Sequence, residues 1–383
     1  MQGRKSVFKT LQNSISKDDK IVWIHASSLG EYEQGLPIIE KIQQEKPDYK
    51  ILLTFFSPSG YEVVKDKDVA DVIVYLPMDT LGNAKKFIKL AKPEMAIFVK
   101  YEIWPNYLKV LKKHQTPTIL ISAYFKKEQS FFKWYGGLMR KSLQTFNHFF
   151  VQDEKSKELL NTINLKNCTV NGDTRFDRVA EILKRDNSLD FMQKFKQNKK
   201  CLVAGSMWPM GEAVLVNYIN TSQNDLKYVI VPHNIFPAEI KSLQKSINKK
   251  TILYSELEDK NLSNFDVLII DALGLLTKVY SYANIAYVGG GYEKGGLHNT
   301  LEPAVFGVPI IIGPYFKGFI EAEELVKKKG IITSNTKTEF ATILDRLVLD
   351  EDYFANTAAI NRTYVEKNLG ASIQIMEYIR TLL

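Results

Sequence analysis

The sequence predicts an α/β protein made of two Rossmann-like domains that face each other across a cleft. Three observations carry this: short apolar runs alternate with amphipathic segments along the whole chain, the alternation pauses in one charged stretch and restarts, and 383 residues exceed one core. In the first half, Ile21–His25, Ile51–Phe55, Val72–Leu76, Met95–Val99, Thr118–Ser122 and His148–Val151 read as strands, each followed by a helix-like segment. That is the pattern of right-handed βα units on a parallel sheet. A charged helical stretch then runs to Lys200, and Cys201–Ala204, Tyr228–Val231, Val267–Ile270, Ile285–Val288 and Ile310–Ile312 resume the pattern. The seam is placed within residues 173–200, giving domains 1–180 and 181–383. The tail from Thr338 reads as helical, and it is expected to pack back across the first domain.

Doubly wound sheets bind ligands at the carboxyl ends of their strands, so the βα loops hold the candidate site residues. After the first strand, Ser28, Gly30 and Glu31 stand at a helix start, where Glu31 suits either the helix dipole or a general base. After the second, Ser57 and Ser59 suit a helix cap or a reader of sugar hydroxyls. Lys100-Tyr101-Glu102-Ile103-Trp104-Pro105-Asn106 follows the fourth, with Glu102 placed to orient a catalytic group or to pair with Lys100.

In the second half, Ser206 in Ala204-Gly205-Ser206-Met207-Trp208-Pro209 is a candidate phosphate contact, while Pro232, His233 and Gly274 end the next strands and suit a base and ribose. The most informative stretch is Val288 to Pro303, where a glycine run leads to a helix start carrying Asn299 and Glu302. Glycines let the backbone approach a phosphate, and a carboxylate accepts from ribose hydroxyls. The expected ligand is a nucleotide, although neither the dinucleotide fingerprint nor the P-loop spacing is matched.

A formal charge of +8 points to an acidic partner without choosing among nucleic acid, anionic lipid and phosphorylated substrate. Two distant cysteines, Cys168 and Cys201, fit a reducing compartment and exclude a cysteine zinc site, and the five histidines do not pair at metal spacing. No metal and no cofactor are expected. No apolar run reaches the ~18–20 residues of a membrane span.

Trp23-Ile24-His25-Ala26-Ser27-Ser28-Leu29-Gly30-Glu31, Tyr75-Leu76-Pro77-Met78-Asp79, Glu102-Ile103-Trp104-Pro105-Asn106, Gly172-Asp173-Thr174-Arg175-Phe176-Asp177 and Gly295-Gly296-Leu297-His298-Asn299-Thr300-Leu301-Glu302-Pro303-Ala304 with Gly313-Pro314 occur in that order. Together they resemble the Kdo transferase family, enzymes that move 3-deoxy-D-manno-oct-2-ulosonic acid (Kdo) from CMP-Kdo onto a lipid A precursor. The resemblance covers nearly the whole chain. It implies the GT-B fold and an inverting, metal-independent transfer to lipid IVA in lipopolysaccharide biosynthesis. It makes Glu31 the catalytic base, with Ser28, Gly30, Ser57, Ser59, Glu102, Lys126 and Lys127 on the acceptor side. Ser206, Pro232, His233, Gly274, Gly295, Gly296, Asn299 and Glu302 are then the CMP contacts.

Three departures stand out. The family often has Glu at Lys100, Asn-Ala-Arg at Ser122-Ala123-Tyr124, and Arg at His233. The implied location is the cytoplasmic face of the inner membrane in a Gram-negative cell, peripheral or held by an amino-terminal anchor absent from this chain. Arg4, Lys5, Lys126 and Lys127 are expected to meet lipid phosphates there. The alternatives are another GT-B enzyme acting on a UDP-sugar, as transferase or epimerase, and a non-catalytic binder of anionic lipid. Nucleic acid is not an expected partner, because aromatic and basic residues do not interleave as in a single-strand binder.

Overall fold

The computed structural model describes residue 4, residues 6–293 and residues 296–383, so the expectations placed on Lys5 and Gly295 lie outside the described residues. The chain divides into two compact units, Met1–Arg178 with Asn368–Leu383, and Val179–Lys367.

The first unit holds β1 (Lys20–His25), β2 (Tyr49–Phe55), β3 (Val72–Tyr75), β4 (Pro93–Val99), β5 (Thr118–Ala123), β6 (His148–Val151) and β7 (Cys168–Val170). They form one sheet in the order β3-β2-β1-β4-β5-β6-β7 with parallel pairings. Side chains alternate between the two faces, and helices cover both. Val22, Ile24, Leu53, Ile97 and Ile121 enter one core, while Trp23, Leu52, Phe98 and Leu120 enter the other. Such double burial explains why the strands read as continuous apolar runs. Each side chain so buried contributes roughly 1.5–3 kcal/mol relative to exposure.

The second unit holds β8 (Lys200–Met207), β9 (Leu226–Pro232), β10 (Thr251–Leu253), β11 (Val267–Ile269), β12 (Ile285–Val288), β13 (Ile310–Ile312) and β14 (Ile331–Thr333). Their order is β10-β11-β9-β8-β12-β13-β14, again parallel. Of the three-residue strands, β11 and β13 are wholly buried and were expected as apolar runs, whereas β7, β10 and β14 carry half-buried positions and were not expected from the sequence.

The helical tail is split between the units. Helix Lys337–Leu349 adds Phe340, Leu344 and Leu347 to the core of the second unit, and helix Glu351–Lys367 also stays there. Only helix Ala371–Arg380 belongs to the first unit, where Ile375, Met376 and Ile379 are buried and Arg380 Nε meets Glu45 Oε2 at 2.8 Å. The tail expected to cross from Thr338 therefore crosses only from Asn368. Among the described residues, no helix is long and apolar enough to cross a membrane.

Both sheets have a topological switch point. In the first, β2 and β4 flank β1 on opposite sides; in the second, β9 and β12 flank β8. Loops leaving the two strands at such a point diverge and leave a crevice between them. In the first unit these loops follow β1 and β4, and in the second they follow β8 and β12.

Candidate active site

Glu31 lies in the first turn of helix Leu29–Glu45, directly after β1, and is only 6% exposed. Ser28 caps this helix in a capping box, with its backbone N–H donating to Glu31 Oε2 at 2.8 Å and its hydroxyl donating to the same oxygen. Two donors thus fix one carboxylate oxygen. Oε1 has no hydrogen bond among the described residues and is not one of the buried unpaired atoms, so it is the oxygen left open to a substrate proton. The helix-start role and the base role are compatible because they use different oxygens.

Behind this turn lies a buried polar chain that the sequence did not reveal. His25, fully buried, places Nδ1 2.9 Å from Thr54 Oγ1, which also accepts from Trp23 Nε1 at 2.9 Å. His25 Nε2 faces Glu102 Oε2 at 3.4 Å, too long for a good hydrogen bond, and has no other partner among the described residues. Glu102 also accepts from Trp104 Nε1 at 2.8 Å. Burial on its own raises the Glu102 carboxyl, but His25, Trp104 and Ser27 together outweigh it and hold it below the ordinary range. The expected pairing of Glu102 with Lys100 is replaced by this one: Lys100 adopts a left-handed φ of 67° and its ammonium lies over the Tyr101 ring. Tyr101 was missed by the sequence reading. Burial raises its hydroxyl pKa, and the carboxylates of Glu31 and Glu102 add to the effect.

The Gly172-to-Asp177 motif serves this turn from a distance. Asp173 accepts from Gln34 Nε2 at 2.9 Å, and the Thr174 hydroxyl donates to Gln34 O at 2.5 Å and meets Ser122 Oγ at 2.9 Å. Arg178 pairs with Glu33. Asp177 accepts from the N–H groups of Gly370 and Ser372, both at 2.6 Å. The motif therefore pins the helix carrying Glu31 and the returning tail helix in one network.

In the second unit the glycine run sits against the end of β8. A Cβ on Gly289 would lie 2.1 Å from Ser206 O, and Gly290, at φ +86°, would place one 1.6 Å from Gly296 O. No side chain fits at either position. Ser206 itself has φ +54°, a costly conformation for a serine, at the point where the β8–β9 register is irregular. Asn299 Oδ1 accepts from Leu301 N at 3.0 Å, and Asn299 Nδ2 donates to Glu302 Oε1 at 3.3 Å. The helix expected after the glycines is a single turn, Leu301–Ala304, too short for a useful dipole. The longer dipole belongs to helix Pro209–Thr221, which begins just after Ser206 and has no side-chain cap at Trp208.

Ser206, Asn299 and Glu302 line one cavity of about 270 Å³ with Leu276, Thr277, Tyr280 and His298. That is the scale of part of a nucleotide, below the roughly 300–1,000 Å³ of whole-ligand pockets. Pro232 and His233 instead line a separate cavity of about 580 Å³ between helices Pro209–Thr221 and Pro237–Ser246, and Gly274, at φ +83°, lines neither. The smaller cavity draws its lining from both sides of the switch point, with Ser206 at the end of β8 and His298, Asn299 and Glu302 after β12. Pro232 and His233 thus line a different cavity from Ser206, Asn299 and Glu302, while the His233 ring lies 4.7 Å from that of His298.

His298 is the second residue the sequence reading passed over. Trp208 Nε1 donates to His298 Nε2 at 2.9 Å, which fixes the proton of the neutral ring on Nδ1. Burial, helped by His233, pushes the His298 pKa down to about 4 from an ordinary value of 6.5. Between those values the unfolded chain holds a proton that the folded chain does not, so stability is full above about pH 7 and falls as pH drops toward 4. With screening by the solvent that reaches the ring, the expected loss from this group is about 2–3 kcal/mol. Urea midpoints measured from pH 7.5 to 4.5 are expected to fall less steeply in His298→Gln than in the parent, and parallel slopes would remove His298 from the account.

The remaining candidates occupy simpler positions. Ser57 caps helix Pro58–Val64, accepting from Ser59 N at 3.2 Å, and Gly30 is exposed. Lys126 and Lys127 are exposed, and Arg4, half-buried, donates to the carbonyls of Leu76 and Phe56 and stacks over the Phe56 ring.

A family model described as 3-Deoxy-D-manno-octulosonic-acid transferase (kdotransferase) matches residues 3–178. The 3-deoxy-D-manno-octulosonic acid transferase of Aquifex aeolicus is 30% identical over 335 residues, covering 85% of this chain and 86% of the relative. That of Chlamydophila psittaci is 25% identical over 339 residues, covering 86% and 77%. Among solved structures, a UDP-GlcNAc 2-epimerase from Neisseria meningitidis bound to UDP-GlcNAc matches with a TM-score of 0.62 at 16% identity, covering 94% of this chain and 100% of that one. At that identity the likeness concerns the GT-B fold alone. The sequence relatives decide the family: the chain belongs to the 3-deoxy-D-manno-octulosonic acid (Kdo) transferase family of glycosyltransferases.

Proposed function

We propose that this glycosyltransferase uses CMP-Kdo as donor and a lipid A precursor of the lipid IVA type as acceptor, and inverts the anomeric centre. The observation that carries the reading is the Glu31 carboxylate, buried at a switch point with Oε2 fixed by Ser28 and Oε1 open. Glu31 takes the proton of an acceptor hydroxyl as that oxygen bonds to the anomeric carbon of Kdo. The bond from that carbon to the CMP phosphate oxygen breaks, and CMP carries away the electron pair. Ser206, the amides near Gly296 and Asn299, and the dipole of helix Pro209–Thr221 meet the phosphate, while Glu302 accepts from the ribose hydroxyls.

A leaving group with one phosphate needs little more charge stabilisation than such donors supply. Transfer is therefore expected to continue in EDTA when the lipid product is read by mass spectrometry. The same assay tests the donor, since CMP-Kdo is expected to add Kdo mass and a UDP-sugar is not. Complete loss of product in EDTA, restored by magnesium, would show a cation recruited through Asp79 or Glu102. We further propose that the protein works at the cytoplasmic face of the inner membrane, where such an acceptor is presented.

A further inference from the structure

We propose that the turn after β5, carrying Trp134, Tyr135 and Leu138, is a preformed element that inserts into the interfacial layer of an anionic phospholipid bilayer. The proposal rests on the acceptor reading above and deepens it by naming the surface that meets the membrane. Trp134 is 90% exposed, Leu138 73% and Tyr135 63%. Large aromatic side chains this exposed are uncommon on a surface that meets only water.

The exposure is built into the turn. Phe125 and Phe131 are buried beneath it, and Phe132 packs on them with ring centroids 5.8 and 5.7 Å away. Arg140 reaches back and donates to the carbonyls of Phe131 at 3.0 Å and Lys133 at 2.7 Å, with Trp134 O at 3.5 Å. Gly136 admits no side chain, because a Cβ would lie 1.9 Å from Ser130 O. With the backbone so held, Trp134 and Tyr135 project together, their rings edge to face at 5.6 Å.

Charge selects the partner. From Tyr124 to Leu143 the chain carries Lys126, Lys127, Lys133 and Lys141, beside an Arg140 engaged by the turn's own carbonyls, against the single acid Glu128. Trp and Tyr favour the headgroup level of a bilayer, and flanking basic residues favour anionic lipid, which a neutral protein partner would not require. Position agrees. Since the sheet is parallel, the turn leaves the same edge as Glu31, with β5 two strands from β1.

The test uses the full chain and vesicles that contain no acceptor. Binding can then be measured whether or not the transfer reading is right. The Trp emission of the parent is expected to shift to the blue, and to be quenched by brominated acyl chains, with phosphatidylglycerol-containing vesicles but not with pure phosphatidylcholine. Trp134→Ser with Tyr135→Ser is expected to weaken vesicle partition about ten-fold or more, the scale set by losing two interfacial aromatics. The same variant is expected to keep its transfer rate on a deacylated, water-soluble acceptor. Unchanged partition in the variant would overturn the proposal. So would loss of transfer on the soluble acceptor, which would place the turn in the catalytic machinery, or loss of self-association with intact vesicle binding, which would make it a protein interface.

Discussion

Glu31→Gln is expected to lower the rate of Kdo transfer by about 10²–10⁴-fold, the usual scale for removing a general base. The substitution is well suited to the question, because glutamine at the third position of a helix also completes a capping box. The amide oxygen of the variant can accept from Ser28 as Glu31 Oε2 does now, at 2.8 Å from the backbone N–H. Shape, cap and burial are kept, and only basicity is lost. Glu31→Ala would confound the two roles by removing the cap as well, at about 1 kcal/mol of stability. The expected pattern in the glutamine variant is a lower kcat, an unchanged melting temperature and unchanged CMP affinity by calorimetry. Near-normal turnover would return Glu31 to a purely structural place at the helix start.

The fold was legible because its strands are buried on both faces. Trp23 and Ile24 are neighbours in sequence yet enter different cores, so β1 shows a continuous apolar run flanked by helical patterns. Where that condition fails, the signal fails with it: β7 has no fully buried residue and spans only Cys168–Val170. The tail was misjudged for a related reason. Helices Lys337–Leu349 and Ala371–Arg380 are alike in amphipathic pattern, and nothing in their periodicity states which core receives the apolar face. What assigns the last helix is Asp177, whose carboxylate takes two backbone N–H groups at its start.

The site was legible one loop at a time. Strand-end loops named Glu31, Glu102, Ser206, Asn299 and Glu302, and parallel topology puts each set at a switch point. The support behind them was not legible. His25 points inward from a strand and reads as one more buried position; only the pairing of β1 with β2 and β4 brings Thr54 and Glu102 to its two ring nitrogens. The role of His298 is not legible locally either, since its bond from Trp208 spans residues too far apart for any local pattern to join them. Pro232 and His233 end β9 and line the larger cavity, yet the His233 ring stacks on Trp208 at 5.0 Å and lies 4.7 Å from the ring of His298, which lines the smaller one.

Glu302→Ala is expected to weaken CMP binding by about 1.5–3 kcal/mol, the cost of losing hydrogen bonds to a charged acceptor. Glu302 stands in the same small cavity as Ser206 and Asn299, and its Oε1 holds Asn299 Nδ2 at 3.3 Å. The alanine variant therefore loses the proposed ribose clamp and frees the Asn299 amide. Asn299 Oδ1 still accepts from Leu301 N at 3.0 Å, so the turn itself is expected to survive. A clamp on the ribose acts alike in the ground state and the transition state, because the sugar hydroxyls it grips do not change as the bond to Kdo breaks. KM for CMP-Kdo is then expected to rise by about 10–150-fold while kcat changes little, the reverse of the Glu31→Gln pattern. Glu302→Gln should fall between the two, since its amide keeps one acceptor oxygen and the contact with Asn299 but surrenders the charge. Calorimetry on the apo protein with CMP alone separates binding from chemistry, and equal CMP affinity in the parent and the alanine variant would remove the nucleotide from this cavity.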